Sequence, residues 1–280
     1  MKRIAVLGSG LLGGSIALAV QSRLPEVSVA LWGRRQQGVE DAKKQGIEIA
    51  SADLKEVIEG ADVIILASPV GAMLEILQAS MSSSSLEGVL VTDVGSVKTT
   101  PRDILAPAIA EAGAKYIGSH PMAGSEQAGV NSAREDLFEG AACVITNDSG
   151  HSEQDVSVVR ELWEAIGCQC YETTSEEHDQ VMARISHMPH MLASVGALVG
   201  LKDPEYGKFA GNGMRDTTRV AAGHPGMWSE ILMMNKDSLR EPVEEAIRYL
   251  REMLALLDDS SDEALVELLE KAKLLRDELK

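Results

Sequence analysis

Cationic residues are in short supply: 26 Lys and Arg stand against 43 Asp and Glu in 280 residues, a formal net charge of −17. A surface of that sign repels phosphate backbones and anionic lipid, which argues against nucleic acid or a membrane as partner. Any anionic ligand must be gathered by a few local Arg, Lys, His and backbone N–H groups. Cysteine is scarce as well, limited to Cys143, Cys168 and Cys170. The odd count and the lack of a C-x-x-C pair argue against a disulfide framework. No charge-free apolar run of about 18 residues appears, so no membrane-spanning helix is expected. Lys2 and Arg3 ahead of an apolar run imitate a secretory leader, but Gly8, Gly10, Gly13 and Gly14 interrupt it and no small-residue cleavage site follows. The expected location is cytoplasmic.

What the chain does have is a regular alternation. Strand-like runs at Ile4–Leu7, Val27–Trp32, Val63–Ala67, Val89–Asp93, Lys115–Gly118 and Ala142–Thr146 are interleaved with helical segments at Leu11–Gln21, Val39–Gln45, Leu74–Met81 and Ile104–Ala112. Such spacing predicts βαβ units on a parallel sheet. After Asp148-Ser149-Gly150 one small αβ unit remains (Val156–Ile166, then Cys168–Glu172). Glu176–Leu201, Met227–Leu257 and Glu263–Leu279 then carry apolar residues at three- and four-residue steps, as helices do. Ser260 and Glu263 have capping-box spacing at the head of the last one. Two domains are expected: residues 1–150 binding a dinucleotide, and residues 151–280, mainly helical, carrying substrate contacts and a dimer interface. The long apolar stripes fit burial against a second subunit, with packing inside the chain as the other reading.

Gly8-Ser9-Gly10-Leu11-Leu12-Gly13 matches G-x-G-x-x-G directly between the first strand and the first helix. There Gly8 permits a tight turn, Gly10 admits a pyrophosphate to the backbone, Gly13 lets helix and strand pack closely, and the helix N-terminus offers N–H groups to the anion. The expected cofactor contacts are Gly8, Gly10, Leu11, Leu12, Gly13, then Gly33, Arg34 and Arg35 after the second strand, and Ser68 and Pro69 after the third. An NAD site of this kind places a carboxylate about 20 residues on for the ribose 2′-hydroxyl. Here Gly33-Arg34-Arg35 follows Trp32 and the first carboxylate is Glu40. That favours NADP, whose 2′-phosphate arginines bind in charge-assisted pairs. NAD stays open if the arginines are solvated or stack on adenine.

Four further clusters carry chemistry: Asp93-Val94-Gly95-Ser96-Val97-Lys98; Ser119-His120-Pro121-Met122-Ala123-Gly124-Ser125-Glu126; His178-Asp179 with Ser186-His187-Met188-Pro189-His190; and Gly213-Met214-Arg215-Asp216-Thr217-Thr218-Arg219, followed by Met227-Trp228 and Asn235. Each has a plain structural reading when taken alone, such as a turn histidine before proline. The His187/His190 spacing invites a metal, but no third ligand stands at a familiar distance, so none is expected. Together, in this order and over nearly the whole chain, they resemble the prephenate/arogenate dehydrogenases of tyrosine biosynthesis. One departure is Gly223-His224-Pro225, where family members often carry Ser-Asp-Pro.

The resemblance implies an α/β N-terminal Rossmann-type domain with a parallel sheet, then an all-helical C-terminal dimerisation domain. It implies an NAD(P)-dependent oxidoreductase that decarboxylates prephenate to 4-hydroxyphenylpyruvate with hydride transfer; the alternative is arogenate, giving tyrosine directly. His120 matches the base at the substrate hydroxyl, and Ser96 the serine that bonds that histidine or the hydroxyl and helps orient the nicotinamide. Arg219 matches the carboxylate-binding arginine, with His190 and Ser125 lining the pocket and Glu126 and Asp216 pairing with arginine to gate it. Lys98 is either an anion anchor or an ordinary exposed lysine. A homodimer through the C-terminal helices is implied. Two rivals are weighed against this reading. Dehydrogenases of the 3-hydroxyacid or 6-phosphogluconate type rely on a catalytic lysine in the helical half. A dinucleotide-binding sensor without chemistry would keep Gly8, Gly10 and Gly13 but would not need His120, Ser96 and Arg219 together.

Overall fold

Ile4, Ala5, Val6 and Leu7 are wholly shielded from solvent, a state a strand reaches when both faces of its sheet are covered. They belong to β1 (Arg3–Leu7) of a computed structural model that describes residues 1–124, 129–258 and 262–279. The chain then runs through α1 (Leu11–Arg23), β2 (Ser28–Trp32), α2 (Gln36–Lys44), β3 (Ala50–Ser51), α3 (Leu54–Ile58), β4 (Val63–Leu66), α4 (Val70–Ser83), β5 (Leu90–Asp93), α5 (Thr99–Glu111) and β6 (Lys115–Tyr116). Among the described residues these strands form a six-stranded sheet in the order β3-β2-β1-β4-β5-β6, parallel at every pairing. The order reverses between β1 and β4, and open sheets of this kind bind ligands in the crevice at the strand ends there.

Side chains alternate across β1. Ile4 and Val6 join a core with α1 residues Ile16 and Val20, whereas Ala5 and Leu7 join one with Met73 and Leu77 of α4 and Leu105 and Ile109 of α5. Each aliphatic chain of that size contributes about 1.5–3 kcal/mol on full burial.

The expected strand Lys115–Gly118 is instead two. β6 ends at Tyr116, and β7 (Gly118–Pro121) leaves for a second sheet of three strands with β8 (Ala142–Thr146), which it meets antiparallel, and β9 (Gln169–Thr173), parallel to β8. Ala142–Thr146 therefore does not extend the large sheet. Helix α6 (Glu153–Ala165), capped by Ser152, connects β8 to β9 and sets Trp163 edge-on to Phe138 at 5.7 Å.

The expected helix Glu176–Leu201 is interrupted. α7 (Ser175–Met182) opens on a Thr174–Glu177 capping box, widens into a π turn at Ala183–His187, and resumes as α8 (Met188–Gly200). Pro189 lacks the N–H that a regular ladder would need there, and the wider turn accommodates it. After α9 (Asn212–Thr218) comes α10 (Pro225–Met234), where His224 fills the N-cap position: its Nδ1 accepts the Met227 N–H at 3.3 Å. The expected helix Met227–Leu257 breaks at Asn235. The chain groups into two compact units, Met1–Asn235 and Lys236–Lys280. The second consists of α11 (Lys236–Asp258) and α12 (Asp262–Asp277), on which Leu250, Leu254, Leu257, Leu269, Leu274 and Leu275 are exposed. The expected capping residue Ser260 lies outside the described residues. No helix among the described residues is long and apolar enough to cross a membrane.

Candidate functional site

At the nucleotide end the glycines are dictated by contact. Gly8 has φ +143°, and a Cβ there would fall 2.3 Å from the Ala67 carbonyl oxygen at the end of β4. A Cβ on Gly13 would fall 1.9 Å from the Gly8 carbonyl oxygen, so helix and turn touch through bare backbone. Gly10 differs: no atom of the described residues lies within 4 Å of its Cβ position. It is the N-cap of α1, no side chain caps that helix, and no acidic residue occupies its first turn. The first-turn N–H groups and positive dipole end of α1 thus have neither a side-chain cap nor an acidic residue of the helix beside them, which fits a dinucleotide pyrophosphate. Ser68 and Pro69 follow β4 beside Gly8, and Leu11 and Leu12 are half-buried in the first turn of α1. Gly33 packs on Ser9, while Arg34 and Arg35 are exposed and unpaired among the described residues.

The chemical end is built where β5, β7 and α7 converge. His120 is not a turn residue. It lies on β7 opposite Val144, is 8% exposed, and its Nδ1 is 2.8 Å from Nε2 of His178. His178 Nδ1 is in turn 2.8 Å from Oδ1 of Asp179. The Asp179 carboxylate also accepts the Lys98 N–H at 2.8 Å and the Thr99 N–H at 3.0 Å, at the N-terminus of α5. Burial would raise the Asp179 carboxyl, but hydrogen bonds from His178, Lys98 and Thr99 outweigh it and hold the pKa below its ordinary value. Burial above all pushes His120 well below the ordinary histidine value, with the nearby Lys98 charge acting in the same direction, so it is neutral near pH 7. A neutral imidazole can accept a proton.

Ser96 is half-buried in the loop after β5. Lys98, two residues on, is neither an exposed lysine nor a free anion anchor. It is fully buried and pairs with Asp93, and its Nζ also donates to the Ser119 carbonyl at 2.7 Å. Asp93 further accepts the Tyr116 hydroxyl at 2.8 Å and the Gly95 N–H at 2.8 Å, which fixes the loop carrying Ser96.

The π turn brings His187 and His190 to the same side, three residues apart. His190 stacks on Trp228 of α10 at 3.6 Å and 8°, and His187 meets the same indole edge-on at 6.3 Å. Asn235 Nδ2 donates to the Asp179 carbonyl at 2.7 Å and lies 3.0 Å from His187 Nδ1, tying α10 to α7. His187 Nε2 and His190 Nδ1 are buried without a hydrogen-bond partner among the described residues; the carbonyls of Ser96 and Val220 face the two rings. Arg219, adjacent to Val220, is exposed, as is Asp216, and neither makes an ion pair with a described residue. Ser125 and Glu126 lie outside the described residues.

Sequence reasoning singled out His178, Asp179 and Asn235 without giving them work. The available signal was the His-Asp pair in the first turns of a helix, where an aspartate would not be needed for capping because Thr174 and Glu177 already provide it.

Comparison with known proteins gives the following. Residues 16–172 match the family model "Prephenate dehydrogenase, nucleotide-binding domain", and residues 174–271 match "Prephenate dehydrogenase, dimerization domain". A prephenate dehydrogenase of Lactococcus lactis subsp. cremoris is 33% identical over 283 residues, covering 99% of this chain and 77% of that protein. The crystal structure of Aquifex aeolicus prephenate dehydrogenase with hydroxyphenyl propionate and NAD+ superposes with a TM-score of 0.87 at 28% identity, covering 100% and 99% of the two chains. Synechocystis arogenate dehydrogenase gives 0.79 at 30% identity, covering 99% and 100%.

Proposed function

The chain belongs to the prephenate dehydrogenase family, and we propose that it oxidatively decarboxylates prephenate to 4-hydroxyphenylpyruvate, passing hydride to NAD(P). The observation that carries this reading is a buried histidine, His120, whose neighbour Ser119 bonds the Asp93 carbonyl at the C-terminal end of β5, the same edge of the parallel sheet at which β1 runs into the G-x-G-x-x-G turn. A bound dinucleotide supplies the hydride acceptor. His120 takes the hydroxyl proton as the carbinol C–H bond gives up its hydride. The ring carboxylate then leaves as carbon dioxide, and the proton returns to the phenolate oxygen, so atoms and charge balance. Aromatisation drives the sequence, and the reaction requires neither a metal nor a protein nucleophile.

Ser96 orients His120 and the nicotinamide from the loop that Asp93 and Lys98 hold. Arg219 binds a substrate carboxylate through its planar fork. His190, fixed on Trp228, lines the pocket with Ser125, and Glu126 and Asp216 gate it. Residues 1–150 hold the dinucleotide, while residues 151–280 carry substrate contacts and the homodimer interface, for which the exposed leucines of α11 and α12 are available. NADP is the proposed cofactor. Arg34 and Arg35 stand exposed at the end of β2 and unpaired among the described residues, and no carboxylate lies between Trp32 and Glu40 to repel a 2′-phosphate. The proposed location is cytoplasmic.

The test is the initial rate of nicotinamide reduction with prephenate or arogenate, each with NADP or NAD. Prephenate turnover supports the proposal. Turnover of arogenate alone moves the side chain from keto to amino with the ring chemistry unchanged. A folded, dinucleotide-binding protein inert toward both overturns it.

A further inference from the structure

Asp179, His178 and His120 form one chain of hydrogen bonds with both links at 2.8 Å, and the chemistry of its members fixes the direction of every proton in it. Asp179 is a carboxylate and can only accept; its two oxygens already receive the backbone N–H groups of Lys98 and Thr99. His178 must therefore donate from Nδ1. It is buried, and its pKa is lowered by that burial against the pull of Asp179, so it is neutral and its Nε2 carries a lone pair. His120 must then donate from Nδ1 to His178, which leaves its own Nε2 bare.

We infer that His178 and Asp179 are positioning residues that hold His120 as the Nδ1–H tautomer, with Nε2 presented as the proton acceptor. The inference rests on the proposed role of His120 in prephenate oxidation. As His120 becomes an imidazolium, its Nδ1–H bond to His178 strengthens, and the negative charge of Asp179 stands one ring behind. Asp179 serves a second purpose in the same arrangement. Because it is bonded to the first turn of α5 and, through its carbonyl, to Asn235, the whole chain is anchored to backbone on two sides. The other charged or titratable groups acting on His120 are Lys98, held by Asp93 and the Ser119 carbonyl, and His187, held by Asn235.

The experiment pairs a tautomer measurement with kinetics. In wild-type protein carrying 15N-labelled imidazoles, the His120 signals are identified by their loss in His120→Ala. At pH near 8 they are expected to report the Nδ1–H form; the Nε2–H form overturns the inference, and this arm requires no His178 or Asp179 variant to fold. His178→Leu is expected to lower kcat for prephenate on the order of 10- to 100-fold, below the ~10²–10⁴ of a lost base. KM and dinucleotide Kd should stay within about threefold, and the acid limb of kcat/KM should move to lower pH, because the imidazolium has lost its acceptor. His178→Gln, whose carbonyl can accept from His120 while its amide donates to Asp179, is expected to recover part of kcat. A His178→Leu enzyme with wild-type kcat and an unmoved acid limb overturns the inference while leaving the dehydrogenase reading intact. A wild-type enzyme inert toward prephenate removes the reading itself.

Discussion

Lys98 and Asp93 form an ion pair with neither side chain reachable by solvent. Asp93 closes β5, Lys98 precedes α5, and the loop between them carries Ser96. Removing one partner leaves an uncompensated buried charge, at a cost of about 3–5 kcal/mol. Lys98→Met should therefore lower unfolding free energy by about that amount, measured by urea titration. A loss under about 1 kcal/mol would mean that the Tyr116 hydroxyl and the Gly95 N–H suffice to hold Asp93.

Acid should weaken the fold through His187. Burial lowers its pKa to about 4, against the Asp179 charge that raises it. The unfolded chain takes up a proton near the ordinary ~6.5, so between these values the unfolded state holds more protons and stability rises with pH. The contribution is complete above pH ~6.5 and is lost as pH falls toward 4, on the order of 3 kcal/mol at full separation. His187→Asn should flatten that slope. An unchanged slope would place the acid sensitivity elsewhere.

The site's halves differ in how openly the sequence displays them. Gly8, Gly10 and Gly13 are legible because strand, turn and helix are consecutive in the chain. Lys98 is not legible. Its partners Asp93 and Ser119 come together only once β5 and β7 are placed side by side, so nothing local separates a buried lysine from an exposed one. The π turn at Ala183–His187 escapes notice because one extra residue in a turn leaves the apolar periodicity of Glu176–Leu201 nearly intact. The switch of chain between sheets at Ile117 is hidden for the same reason: an apolar run reads as one strand whichever sheet its ends join. At His224 a histidine nitrogen does the capping that a family member's aspartate oxygen would do, a substitution intelligible only with the helix start in view.

Cofactor choice is predicted to rest on two exposed side chains. Replacing Arg34 and Arg35 together with alanine should raise KM for NADP about tenfold or more, the scale of charge-assisted bonds to a phosphate, and leave KM for NAD within a factor of two. Equal effects on both dinucleotides would assign these arginines to the adenine instead.

Arg219 is predicted to act on substrate binding. Lysine keeps the charge but not the bidentate fork, so Arg219→Lys should raise KM for prephenate about 10- to 100-fold, equivalent to ~1.5–3 kcal/mol for a charged hydrogen bond. The dinucleotide Kd should be unaffected. A near-wild-type KM would reject the assignment.

The most direct test of the account is kcat for prephenate in His120→Ala, measured beside the dinucleotide Kd of the same protein. A loss of about 10²–10⁴ in kcat with Kd unchanged is the predicted result. Wild-type turnover in that variant would contradict the central claim that His120 takes the hydroxyl proton.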